Sequence, residues 1–112
     1  MKVLIFKPGE PGRIEERDSL TLEDEQEIVD GPIELAYPPS HDDDAAVVCN
    51  EEGKLRGLPY NRYLCYEDGV PYDIVCGTFF IVRAPEDEED FKGLTDEQVE
   101  KYLALYRECL NV

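Results

Sequence analysis

Apolar residues cluster, alternate or recur at helical spacing in separate stretches of this chain, and each stretch predicts an element. Residues 2–7 (KVLIFK) hold four consecutive apolar side chains closed by Pro8 and Gly9, which predicts a short buried strand and then a loop through Pro11 and Gly12. Residues 13–17 alternate in polarity and predict a second short strand. Thr21, followed three residues on by Asp24, is a capping box with Asp in place of the more usual Glu or Gln. It predicts a helix over Leu22–Val29, stopped at Gly31. Leu22, Glu25, Gln26 and Val29 share one face of that helix, which points Gln26 inward.

Residues 33–37 predict a strand ending at Pro38-Pro39, residues 40–44 a charged loop, and residues 45–50 another strand. Glu51-Glu52-Gly53 reads as a hairpin turn into Lys54-Leu55, and Glu67-Asp68-Gly69 as a further turn. Gly57-Leu58-Pro59 opens a short helix or turn over residues 61–64. Residues 73–82 are apolar on both alternating faces and predict a central strand, with Gly77 marking a bulge or a close backbone approach. After an acidic loop at 85–90, Thr95 with Gln98 forms a second capping box. Val99, Tyr102, Leu103, Tyr106 and Leu110 then recur at helical spacing. The sum is an α+β fold in one domain over residues 1–112: a small, mostly antiparallel sheet of about five strands with a short helix and a C-terminal helix packed on it. The tyrosine-bearing face of the C-terminal helix is read either as covering the core or as making a homodimer.

Charge changes this picture more than composition does. Hydrophobic residues make up 42%, which suits a folded chain, but the net charge is -16. Such a field repels nucleic acid and anionic membrane and attracts basic partners. The acid is uneven: residues 1–50 carry 13 acidic and 4 basic side chains, residues 51–82 carry 5 and 3, and residues 83–112 carry 9 and 4. The middle is nearly neutral, so the flanks hold the acidity as a separate property, either a partner-binding surface or a solubilising one. No stretch approaches a membrane span or a signal-peptide core. Cys49, Cys65, Cys76 and Cys109 show no C-x-x-C spacing, and reduced thiols in a cytoplasmic protein are expected.

Familiar catalytic and metal patterns are sparse. His41-Asp42-Asp43-Asp44 offers metal-ligating atoms, but consecutive residues cannot all turn onto one ion, and a solvated loop is expected. His41 is the only histidine, so nucleophile–base pairs have little to draw on. Gly9-Glu10-Pro11-Gly12 has proline where a phosphate cradle needs backbone N–H groups. Neither a metal nor a cofactor is expected. Tyr60, Tyr63, Tyr66 and Tyr72 surround Asn61-Arg62, a grouping that would stack on a flat ligand and bond its edge, or would serve as packing at a domain rim.

Three segments carry a resemblance. Residues 25–34 read EQEIVDGPIE, residues 49–62 read CNEEGKLRGLPYNR, and residues 73–82 read DIVCGTFFIV. They resemble the L-Q-x-x-V-G-G-x-I-E, C-N-E-E-G-K-L-x-G-L-P-x-N-R and D-I-x-x-G-T-F-x-I-V segments of a bacterial and phage family catalogued as a domain of unknown function, numbered thirty-eight forty-six. The chain departs at Glu25, where Leu is usual, and at Asp30, where Gly is usual; both changes add acid. The likeness runs over about residues 20–82, with a weaker echo at 94–102. It implies an accessory role in phages and conjugative elements, including action against host defence, and it identifies no catalytic residue. The recurring polar positions fall at Gln26, Glu34, Asn50, Asn61, Arg62 and Thr78, which with Tyr60 make up the candidate ligand-binding set. A structural role stands beside this: Asn50 capping a hairpin turn, Gln26 tying the helix to the sheet.

The leading expectation is a small acidic accessory protein that binds a basic protein surface without catalysis, as a DNA mimic or anti-defence factor. The alternative is a module for a small nucleotide-like ligand at Asn61, Arg62 and the tyrosines. An enzyme ranks third.

Overall fold

The computed structural model describes residues 1–36, 43–66 and 68–110. Along them run β1 (Lys2–Phe6), β2 (Arg13–Glu16), α1 (Leu22–Val29), β3 (Ile33–Ala36), β4 (Ala45–Asn50), β5 (Tyr60–Cys65), β6 (Pro71–Cys76), β7 (Phe79–Arg83) and α2 (Asp96–Leu105). Five strands form an antiparallel sheet in the order β2-β1-β7-β4-β3, and β5 and β6 pair separately as a two-stranded antiparallel layer. This is the α+β architecture that the apolar spacing implies.

The central strands are apolar throughout because both faces of the sheet are covered. Leu4, Phe6, Ala45, Val47, Phe79 and Ile81 point to one side and pack with Leu64 and Val75 of the small sheet and with Val99, Tyr102 and Tyr106. Val3, Ile5, Val48, Phe80 and Val82 point to the other side, under Val29 of α1, with Ile28, Leu20 and Phe91 at the margin. Burial of each such side chain contributes roughly 1.5–3 kcal/mol. Phe6 and Phe79 stack with ring centroids 4.9 Å apart, and Tyr106 meets both edge-on.

Four expectations are corrected. Residues 73–82 are not one strand. The chain leaves the small sheet at Cys76 and enters the centre of the large one at Phe79. Gly77 makes the passage at φ +89°, where an added Cβ would lie 2.8 Å from Leu58 Cδ1. Residues 61–64, read as a helix or turn, belong to strand β5, because pairing with β6 decides their conformation. Lys54-Leu55 lies within a run of turns rather than a returning strand. On α1, Glu25 and Val29 form the buried row; Gln26 is exposed and Leu22 is 58% exposed. His41 and the remainder of residues 37–42 lie outside the described residues.

Both capping boxes form. Thr21 accepts from the Asp24 amide while the Asp24 side chain accepts from Thr21 N–H, and Thr95 and Gln98 do the same on α2. Thr95→Ala is expected to cost about 1 kcal/mol, read as a lower urea midpoint with unchanged slope.

Candidate functional site

The residues singled out from sequence separate into different places. A register shift between Tyr60 and Arg62 puts one extra residue on β5, so Asn61 and Arg62 both face inward, 0% and 1% exposed. Asn61 Nδ2 donates to Phe6 O at 2.9 Å and Gly77 O at 2.8 Å. Arg62 Nε donates to Tyr106 O at 2.9 Å. Its Nη atoms donate to Lys7 O at 3.2 Å, Asn61 Oδ1 at 2.6 Å and Glu10 O at 2.6 Å, and the guanidinium lies 5.1 Å from the Phe6 ring centroid. Burial lowers its pKa, while the adjacent Cys109 opposes that shift. These donors are aimed at main-chain carbonyls from three parts of the chain, not at a cleft.

The tyrosines lie on the opposite face. Tyr60, Tyr63, Tyr66 and Tyr72 are exposed on the outside of the small sheet, with the Tyr66 and Tyr72 rings 4.9 Å apart. Tyr60 borders a groove of about 780 Å³ with Pro8, Gly9, Leu58, Lys54 and Leu110. Asn50 and Glu34 line a separate groove of about 400 Å³ beside Cys49 and Asp73. There Asn50 is structural: Nδ2 donates to Val29 O and Asp30 O at 3.0 Å, closing the C-terminus of α1, and Oδ1 accepts from the Glu52 amide at 2.8 Å. Thr78 is half-buried on the α1 side, beside Ile5, Lys7 and Ile28. Among the described residues, the candidates are divided between these grooves and the interior.

Nucleophilic chemistry finds little support in the thiols. Burial, with Glu34 and Asp73 nearby, pushes the Cys49 thiol up to about 11. Burial raises those of Cys65 and Cys76 as well. The acidic loop before β4 serves α2: Asp43 accepts from Tyr102 Oη at 2.8 Å, Gln98 Nε2 at 2.7 Å and Lys101 Nζ at 3.1 Å. Burial opposes its ionisation, but these bonds and the Ala45 amide prevail and hold the carboxyl below its usual range. Among the described residues, no group of three or more His, Cys, Asp or Glu side chains is placed to hold a metal ion, and no helix is long and apolar enough to cross a membrane.

The feature that sequence reading missed is a groove of about 650 Å³ between the start of α1 and the segment before α2. Asp18, Glu25, Glu89 and Asp90 line it together with Leu20, Leu22, Phe91 and Lys92. Glu25 is 8% exposed, and its carboxylate makes no hydrogen bond or ion pair with another described residue. Burial, and then the charge of Asp24, raises its pKa. The signal was present, since Glu25 stands four residues before the core residue Val29, but the groove brings it together with Leu20 and Phe91 from distant segments.

Comparison with curated proteins and with solved structures finds no match. The family match extends well beyond the three motif segments, into both flanks and through α2. The chain belongs to the family described as domain of unknown function DUF3846, whose family model matches residues 1–107.

Proposed function

We propose that this protein is a non-enzymatic binding module whose acidic α1 face docks on a basic protein surface. The observation that carries this reading is how unevenly the charges are paired. Lys2, Arg13, Arg17, Lys54, Arg56, Arg83, Lys92 and Lys101 already pair with carboxylates of the same chain, and Arg62 is spent on carbonyls. On the α1 side, Glu23, Glu25 and Glu27, with Glu89 and Asp90 of the loop after β7, have no such partner among the described residues, nor have Glu86 and Asp87 of that loop. Unpaired like charges on one face attract a basic partner and speed encounter with it. A protein whose own surface reads nucleic-acid phosphates has the matching charge, which is the basis for the finer reading: a cytoplasmic DNA mimic, carried by a phage or mobile element and directed at host defence. The groove of about 780 Å³ beside Tyr60 keeps a small flat ligand as the second reading, with Tyr60 and Lys54 as its polar groups.

The test is calorimetric titration with an oligo-lysine peptide. Binding is expected at low salt and should weaken by about 10-fold or more on approaching molar salt, because exposed charges are screened within a few ångströms there. Neutralising Glu86, Asp87, Glu89 and Asp90 to their amides should weaken it further at low salt. Affinity indifferent to salt would sink the proposal.

A further inference from the structure

We propose that the groove floored by Glu25 is a socket for the side chain of a single arginine or lysine on that basic partner, the anchor of the interface. The inference rests on the acidic-face reading and deepens it.

Three observations converge on a long cationic side chain. The first is Glu25 itself. The residue is 8% exposed, its carboxylate opens into the groove, and no described residue pairs with it, so a cation entering there meets an acceptor that is not already engaged. The cations nearest the groove are engaged elsewhere. Lys92 lies 3.5 Å from Glu88, and the Met1 amine donates to Arg17 O and lies 3.5 Å from Glu16. The second is the wall. Leu20, Leu22 and Phe91 line the groove beside the acid, and an apolar sleeve leading to a carboxylate suits a methylene stem carrying a charged head. The third is the rim. Asp18, Glu89 and Asp90 are exposed where the Glu25 residue is buried, so they draw the cation in while Glu25 receives it beside apolar walls, where water screens the pair less than at the open surface. A bare divalent ion is the poorer fit, since these carboxylates are not grouped as ligands. The cleft volume falls within the roughly 300–1,000 Å³ typical of ligand sites.

The experiment compares Glu25→Gln with Glu100→Gln, an equal loss of charge on α2 across the sheet, using fluorescent oligo-arginine and oligo-lysine peptides at low salt. Glu25→Gln is expected to weaken binding about 10-fold or more, the scale for breaking a buried charge pair, and Glu100→Gln by less than about 2-fold. Amide shifts in NMR spectra should concentrate at residues 18–25 and 89–93. Thermal melts of both variants exclude unfolding as the cause. Equal, small losses in the two variants, or shifts spread over the whole acidic surface, would overturn the socket and leave the acidic-face reading standing. Failure of both peptides to bind the unaltered protein would overturn that reading and the socket with it.

Discussion

Replacing Arg62 with alanine is expected to destabilise the fold by about 3–5 kcal/mol, since several buried carbonyl acceptors lose their donor at once, each costing roughly 1–3 kcal/mol when left unsatisfied. Small domains have only about 5–15 kcal/mol in total, so this variant should be largely unfolded at mild denaturant concentrations. The reason is the number of acceptors left behind. Tyr106 O, Lys7 O, Glu10 O and Asn61 Oδ1 would all lose a donor at once, and the Phe6 ring would lose its covering cation. Arg62→Lys should recover little of the loss, because a single ammonium cannot span carbonyls that a planar fork reaches together. Asn61→Ala and Arg62→Ala should be strongly non-additive, since the two side chains bond each other and share the junction of β1 with the small sheet. Urea unfolding of the two single variants and the double variant measures this. A ligand-binding Arg62 would instead leave stability nearly unchanged on replacement.

Glu25→Leu is expected to act in the opposite direction, stabilising the fold at neutral pH by about 1 kcal/mol, since it exchanges an unpartnered carboxylate on a largely buried residue for an apolar side chain beside the groove residues Leu20 and Phe91. Leu is also the residue usual at this place in the sequence pattern that the chain resembles. The pH dependence follows from the direction of the shift. The pKa of Glu25 is raised in the folded state, so its charge penalty is fully present above the folded pKa and disappears as pH falls toward the unfolded value of 4.5. The advantage of Glu25→Leu should therefore shrink on acidification. Asp43 behaves oppositely. Its pKa is lowered, so its contribution is intact above the ordinary value of 3.8 and is lost as pH falls through the folded pKa. Denaturation midpoints of both proteins at neutral and mildly acidic pH would check this, and a constant difference would argue against a raised pKa at Glu25. Taken with the socket, the same substitution should strengthen the fold and weaken binding.

How far the sequence could be read depended on how local each signal was. Thr21 with Asp24 and Thr95 with Gln98 announce helix starts because a capping box is complete within four residues, and both helices begin as expected. The apolar run from Asp73 to Val82 misled because a strand buried on both faces shows no alternation. Two strands in different sheets therefore look like one, with Gly77 the only mark of the break. Asn61 and Arg62 looked like a ligand-reading pair because Tyr60, Tyr63, Tyr66 and Tyr72 surround them in sequence, but on a strand the tyrosines face out. The extra residue on β5 turns both inward, and that depends on the register against β6. Glu25 was legible as sharing a face with Val29, but the groove it lines is formed with Leu20 and Phe91, which lie far apart along the chain.

The strand order also governs how the chain can assemble during synthesis. The first fifty residues can build β1 with β2 and β3 with β4, but these are two unconnected hairpins, because the strand that lies between them is β7. Until residues 79–83 have left the ribosome, β1 and β4 present bare main-chain edges and uncovered Val, Ile and Phe side chains. The seal comes later still, when Tyr106 O accepts Arg62 Nε. A nascent chain arrested before that point would carry its most aggregation-prone surface exposed, and the acidic residues that flank it would then act as gatekeepers, holding incomplete chains apart until the last strand and helix arrive.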